Sequence, residues 1–318
     1  MRYRDFGGKR TAVVALGSTD FGGAVPEGLC REFLDAYEGI GGNFLDTARV
    51  YGDFKGGRLG ESEKVIGRWL SERDRDSFFL STKGGHPDMA RMNVGRLSRA
   101  EVEDDFRRSL ENLRTDHVDI YWLHRDDRSR PVGDIMETLN GLLEQGARMI
   151  GVSNWSPERI REANAYAAAH GLRGLDANQP RFSLAQQATV EDPTLYPMDA
   201  GTYRLHLETG MALVPFSSQA KGFFTKLHDL GPESLPDKAR RRFYTPENLE
   251  IYRRVLEVCD QTGLSVGAVA LAYLTCQPFP TFPLAGVSRV SQVLALNEAA
   301  DAVITDAQRD YLLKMSEE

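Results

Sequence analysis

The stretch NFLDTARVYG, residues 43–52, sets the reading of the whole chain. Its first half is a short, nearly continuous apolar run, as expected for a strand covered on both faces. The run stops on a carboxylate, Asp46; a phenol, Tyr51, follows five residues later, next to Gly52. The same kind of unit recurs on either side. Apolar runs stand at TAVVALG (11–17), FFLSTK (78–83), VDIYWLH (118–124), RMIGVSN (148–154), LDANQP (175–180), ALVPFS (212–217) and TFPLAG (281–286), which with NFLDT (43–47) makes eight. Between them lie segments with helix-start chemistry. Pro26-Glu27 is a good first-turn pair, Ser98 with Glu101 fits a capping box, and Ser156-Pro157 is a cap followed by an N1 proline. Helices are expected over 26–40, 61–73, 98–113, 132–145, 156–170, 202–209, 247–262, 265–276 and 291–300.

Strands that alternate with helices pair in parallel through right-handed crossovers. Eight such units in 318 residues fit an α/β fold of the closed (β/α)8 TIM-barrel type, a single barrel domain over 1–318. The opening segment 1–10, with Gly7-Gly8 at its centre, reads as a β-hairpin closing the barrel floor. Long loops, at 84–97 and 219–248, belong to the C-terminal face. No Gly-x-Gly-x-x-Gly follows a strand, so a Rossmann fingerprint is absent.

Composition narrows the function. Hydrophobic residues are 41% and charged residues 27%, ordinary globular usage. A net charge of −7 argues against a nucleic-acid partner, which calls for a basic face. Cys30, Cys259 and Cys276 form no close pair, and the His86/Asp88 and His124/Asp126 spacings suit no helical ligand pair, so neither disulfide nor metal is expected. No apolar run approaches membrane-spanning length and the first residues lack a signal region, so the expected setting is the cytoplasm, with no membrane partner. Nothing in the pattern sets an oligomeric state.

In a barrel of this kind, chemistry sits at the C-terminal strand ends. The second, third and fourth runs stop at Asp46, Lys83 and His124, and Tyr51 lies in the loop after the second. Each alone has a structural explanation: a turn acceptor, a surface charge, a satisfied imidazole, a packing ring. Together, on consecutive strand ends, they suit proton transfer to a carbonyl oxygen. A phenol ordinarily ionises near pH 10, and an adjacent ammonium favours the phenolate. Asp46 would keep that ammonium charged and oriented, and His124 would share the proton relay.

The motifs LGSTDFGG (16–23), NFLDTARVYG (43–52), STKGG (81–85), YWLHRDD (121–127), GVSNW (151–155), PFSSQAKGFF (215–224) and PLAGVSRVSQV (283–293) carry a resemblance to the aldo-keto reductases, including the branch that contains the potassium-channel β-subunits. The resemblance covers essentially the whole chain. It implies a tetrad of Asp46, Tyr51, Lys83 and His124, and an extended nicotinamide cofactor, NADPH in the first place and NADH as the alternative. Ser153, Asn154 and Gln179 match the positions that hold the carboxamide, and Phe216 matches the ring that stacks on the nicotinamide. Ser217, Ser218, Gln219 and Gly222 would wrap the pyrophosphate. Gly286, Ser288, Arg289 and Gln292 would face the adenosine end. There the chain departs from NADPH-preferring relatives, which often carry basic residues at the positions of Gly286 and Gln292; Arg289, Lys221 and Lys226 are the nearby substitutes. A common asparagine falls at Leu296, one residue before Asn297. Phe54, His86, Trp155 and Phe223 are expected to line the pocket for a small-molecule carbonyl or alcohol. The expected reaction is reduction of an aldehyde or ketone, or its reverse. The alternatives are a cofactor-sensing regulatory module with little turnover and a Schiff-base lyase using Lys83.

Overall fold

The computed structural model describes residues 1–52, 59–189 and 192–313. Strands β1 (Tyr3–Phe6) and β2 (Lys9–Ala12) form the expected antiparallel hairpin. Its two turn residues, Gly7 and Gly8, have φ of 62° and 85°, a backbone that glycine alone adopts without penalty. Eight further strands follow: β3 (Ala15–Gly17), β4 (Phe44–Asp46), β5 (Phe79–Gly84), β6 (Ile120–Leu123), β7 (Ile150–Ser153), β8 (Ala177–Gln179), β9 (Ala212–Leu213) and β10 (Leu284–Gly286). They pair in parallel in the order β10-β3-β4-β5-β6-β7-β8-β9. The ends of this sheet meet through a parallel bridge between Leu213 and Thr281, with Phe282 N donating to Leu213 O at 2.8 Å and Leu284 N to Pro215 O at 3.0 Å. The sheet is thereby a (β/α)8 barrel.

Period-two alternation sorts each strand's side chains between two apolar clusters. Phe44, Phe79, Ile120, Trp122, Ala177 and Leu284 fill the barrel interior, joined by Phe6 from the hairpin. Leu45, Leu80, Tyr121, Leu123, Ile150 and Val152 pack outward against the helices. Continuing the interior parity along each strand reaches Asp46 after Phe44, Ser81 and Lys83 after Phe79, His124 after Trp122 and Gln179 after Ala177. The polar residues at the mouth thus stand above the apolar barrel core because they share its parity.

The surrounding helices are α1 (Glu27–Gly39), α2 (Glu61–Leu70), α3 (Arg99–Leu113), α4 (Val132–Leu143), α5 (Pro157–Ala169), α6 (Ala200–Thr209), α7 (Phe223–Leu230), α8 (Asp237–Phe243), α9 (Pro246–Thr262), α10 (Val266–Thr275), α11 (Val290–Asp301) and α12 (Asp306–Leu313). The Ser98–Glu101 capping box is formed, and Ser156 caps α5 with Pro157 at its start. Three expectations change. The run 11–17 is not one strand: residues 11 and 12 pair with β1, and the chain turns at Val13-Val14 into β3. Both valines are buried, at 1% and 0% exposure, so apolar continuity conceals the bend. The segment 219–248 is not an open loop but holds α7 and α8. The residues after the last expected helix form α12, which packs on α9. Among the described residues no single helix is long and apolar enough to cross a membrane.

Candidate active site

The loop after β4 is stitched along β5. Thr47 N donates to Ser81 O at 3.0 Å and Arg49 N to Lys83 O at 2.9 Å, and Tyr51 N then closes a turn on Ala48 O at 3.0 Å. Beneath the loop, Ser62 Oγ sits 2.9 Å from Thr47 Oγ1 and donates to Ser18, whose own hydroxyl meets Asp46 O at 2.9 Å. This path sets the phenol over the β5 lysine: Lys83 Nζ lies 4.8 Å from the centroid of the Tyr51 ring and hydrogen-bonds its hydroxyl.

Lys83 has 0% exposure and Asp46 1%. Lys83 Nζ donates to Asp46 Oδ2 at 2.5 Å and to Thr47 O at 2.7 Å. Asp46 Oδ1 accepts from Ser81 Oγ at 2.6 Å and Gln179 Nε2 at 3.2 Å. Burial alone pushes Lys83 down, but the carboxylate of Asp46, and after it Tyr51, overcome that and hold the ammonium above its ordinary range. With both oxygens engaged by the protein, Asp46 serves the lysine.

Tyr51 stands edge-on to His124, ring centroids 5.7 Å apart, and His124 edge-on to His86 at 4.8 Å. Burial first, then the charges of Arg125, His86 and Lys83, hold His124 well below the usual imidazole range. Burial and then Arg125 push His86 down to about 4. Both imidazoles are therefore neutral at neutral pH. His124 Nδ1 is buried with no hydrogen-bond partner among the described residues. Three strand-end groups and the loop phenol named from sequence thus meet at one mouth, joined by His86.

The candidate cofactor residues form a continuous arc beside them. Asn154, at a left-handed φ of 63°, donates to His124 O at 3.2 Å and to Ser153 Oγ at 3.0 Å. Gln179 turns its amino group to Asp46, while its Oε1 has no hydrogen-bond partner among the described residues. Phe216 is half-buried, one side packed on the interior cluster. Ser217, Ala220, Lys221 and Gly222 all have positive φ, between 47° and 72°, the backbone form that turns N–H groups into an anion-binding concavity. An open carboxamide acceptor, a half-exposed ring and such a concavity, in that order along the mouth, fit a nicotinamide dinucleotide. Ser218 contributes differently from the expectation: it is 2% exposed and its hydroxyl donates to Leu284 O at 2.6 Å, tying the loop to β10. Gln219 is half-buried. At the far end Gly286, Ser288 and Arg289 are exposed, and Gln292 Oε1 accepts from Ser288 N at 2.8 Å. Lys226 is turned to Lys221 O, Leu296 is buried at 2%, and Asn297 accepts from the terminal amine of Met1.

Of the expected pocket residues, His86 is at the mouth. Trp155 and Phe223, both with 0% exposure, belong to the outer core instead. The Trp155 indole donates to Arg125 O at 3.3 Å, and Phe223 packs on Phe224 and Phe243. Phe54 lies outside the described residues. Sequence reading missed Ser81, although it shares the Lys83 face two residues earlier, and it missed Arg125, the residue after His124. A cavity of about 400 Å³ opens at the opposite, floor end between Phe6, Gly7, Met149 and Met211, away from every strand-end group named above.

A barrel with an acid, a lysine, a phenol and an imidazole converging on its C-terminal mouth defines a class of oxidoreductase. Residues 13–317 match the aldo/keto reductase family, and the chain belongs to it. It is 31% identical to an aryl-alcohol dehydrogenase of Pestalotiopsis microspora, over 93% of this chain and 76% of that protein. It is 28% identical to norsolorinic acid reductase B of Aspergillus parasiticus, over 94% and 79%, and 26% identical to a probable voltage-gated potassium channel subunit beta of Arabidopsis thaliana, over 95% and 92%.

Proposed function

We propose that the chain is an NAD(P)H-dependent carbonyl reductase in which Tyr51 supplies the proton. The overall change is R2C=O + NADPH + H⁺ → R2CHOH + NADP⁺, reversible with Tyr51 as phenolate. The cofactor, when bound, supplies the hydride. The chain's own residues bind and orient the carbonyl oxygen and move the proton. The Tyr51 hydroxyl donates to that oxygen, and the Lys83 ammonium beneath it stabilises the phenolate left behind. Asp46 keeps the ammonium charged through the transfer. Neutral His124, edge-on to the phenol, offers a second hydrogen bond to the oxygen. Ser153, Asn154, Gln179 and Phe216 would hold the ring end of the cofactor, and the loop 217–222 its pyrophosphate; the exposed Arg289 favours NADPH at the adenosine end.

The observation behind this reading is the buried Lys83 held between Asp46 and the Tyr51 phenol. The aryl alcohol named for one fungal relative points to aromatic alcohols and the carbonyls they interconvert with. Tyr51→Phe tests it. The variant should lose at least about 10²-fold in turnover of a reducible aryl aldehyde, because acid catalysis contributes about 10²–10⁴. Its NADPH affinity, read by fluorescence, should stay within about threefold of wild type, since only the hydroxyl is gone. Retention of more than about a tenth of the rate sinks the assignment. NADPH binding without turnover of any carbonyl would favour a cofactor-sensing role instead.

A further inference from the structure

The residue after the β6 histidine carries a charge that the proposed reaction does not use. Arg125 is 8% exposed. Its Nη1 donates to His124 O at 2.8 Å and its Nε to Thr194 Oγ1 at 3.0 Å. Among the described residues its Nη2 meets Asp192 Oδ2 at 3.6 Å, an ion pair longer than a normal hydrogen bond. Asp192 in turn is held by its own loop, with Oδ1 accepting from Thr194 N at 2.9 Å and Thr194 Oγ1 at 2.6 Å. The carboxylate is therefore parked short of the guanidinium and is itself half-exposed.

A guanidinium presents five donors in a planar fork, and among the described residues two of them are hydrogen-bonded, so the fork can take a further acceptor. The position of the fork says what the acceptor meets next. Arg125 Nη1 holds the carbonyl of His124, whose ring stands 5.7 Å from the Tyr51 ring and 4.8 Å from the His86 ring, and the Arg125 charge acts on both imidazoles. A ligand seated at Tyr51 thus extends into the field of Arg125.

We infer that Arg125 is a specificity-determining residue: its Nη2 corner, with Asp192 as a weak stand-in, receives an anionic oxygen, such as a carboxylate, carried on the substrate away from the reacting carbonyl. The inference rests on the carbonyl-reductase reading and narrows its substrate class to acidic aryl carbonyls. Planar carboxylates and guanidinium match in geometry, which a lysine ammonium would not reproduce. Asp192 competes for the same corner, so removing its charge should strengthen the site.

The test compares the 2-, 3- and 4-carboxybenzaldehydes with their methyl esters under NADPH. At one ring position or more, wild type should favour the acid over its ester in kcat/KM by about tenfold, the scale of one charged contact. Arg125→Met should lower that acid-to-ester ratio at least tenfold, and Asp192→Asn should raise it. A wild type that favours no acid, or an Arg125→Met variant that slows acid and ester by the same factor, overturns the inference. Reduction of the esters without preference for an acid would leave the reductase reading intact. If no aldehyde is reduced, that reading fails, and calorimetric affinities for the matching carboxybenzyl alcohols and their methyl esters decide the inference: an acid preference lost in Arg125→Met supports it, and no preference in wild type refutes it.

Discussion

Lys83 concentrates the electrostatics of the site in one side chain. A fully buried ammonium is tolerated because Asp46 and Thr47 O receive it, and the pair is worth most when intact. Lys83→Met should therefore leave a buried, uncompensated Asp46 and cost about 3–5 kcal/mol in urea unfolding, while the double variant with Asp46→Asn should recover most of that loss. A single-variant cost below about 1 kcal/mol would show that Asp46 finds another way to be satisfied. At this scale the mouth was legible in part. Asp46, Lys83 and His124 could be found because each ends an apolar run and shares the parity of the interior residues before it. Trp155 and Phe223 could not be placed, because an aromatic ring beside a strand end is equally suited to a cleft and to the core behind it. Arg125 was hidden for the opposite reason: charge suggests solvent, and only its 8% exposure and its bonds to His124 O and Thr194 Oγ1 show otherwise.

At the scale of elements, local chemistry was the reliable guide. Helix α3 starts where Ser98 and Glu101 say it should, with Ser98 N donating to the Glu101 carboxylate at 3.1 Å and Glu101 N to Ser98 Oγ at 3.4 Å. Ser98→Ala should lower unfolding stability by about 1 kcal/mol, the usual worth of such a cap, with no change in the unfolding m-value. An effect under about 0.2 kcal/mol would mean that packing alone fixes this helix start. Segment 219–248 misled because α7 and α8 are short, and α7 follows left-handed residues that carry no helix signal. The run 11–17 misled because a bend made of buried valines looks, in sequence, like a straight strand.

At the scale of the whole molecule, the hairpin plugs the barrel. Phe6 stacks on Phe79 and on Phe282, each at 4.7 Å between centroids and nearly parallel. It therefore links the third apolar run to the last, whose Phe282 N donates to Leu213 O beside the seam where β9 and β10 meet. Phe6→Ala should cost about 3–5 kcal/mol in chemical denaturation, the range for truncating a buried phenylalanine. The far-UV circular dichroism should be nearly unchanged, because the barrel ladders do not run through Phe6, whose pairing is confined to the β1–β2 hairpin. A loss below about 1 kcal/mol would show that the floor is filled by other side chains.

The residues alone dictated the alternation of strands and helices, the parity that points strand-end polar groups into one mouth, and the chain order of acid, phenol, lysine and imidazole. These follow from periodicity and from contacts within a few residues. The tertiary structure decided which distant groups complete the site: Gln179 reaches Asp46 across 133 residues, and Thr194 reaches Arg125 across 69. Periodicity assigns a side chain to a face, but only barrel closure and the path of each loop set which faces meet. Those depend on burying both apolar clusters at once, a condition that no single segment contains.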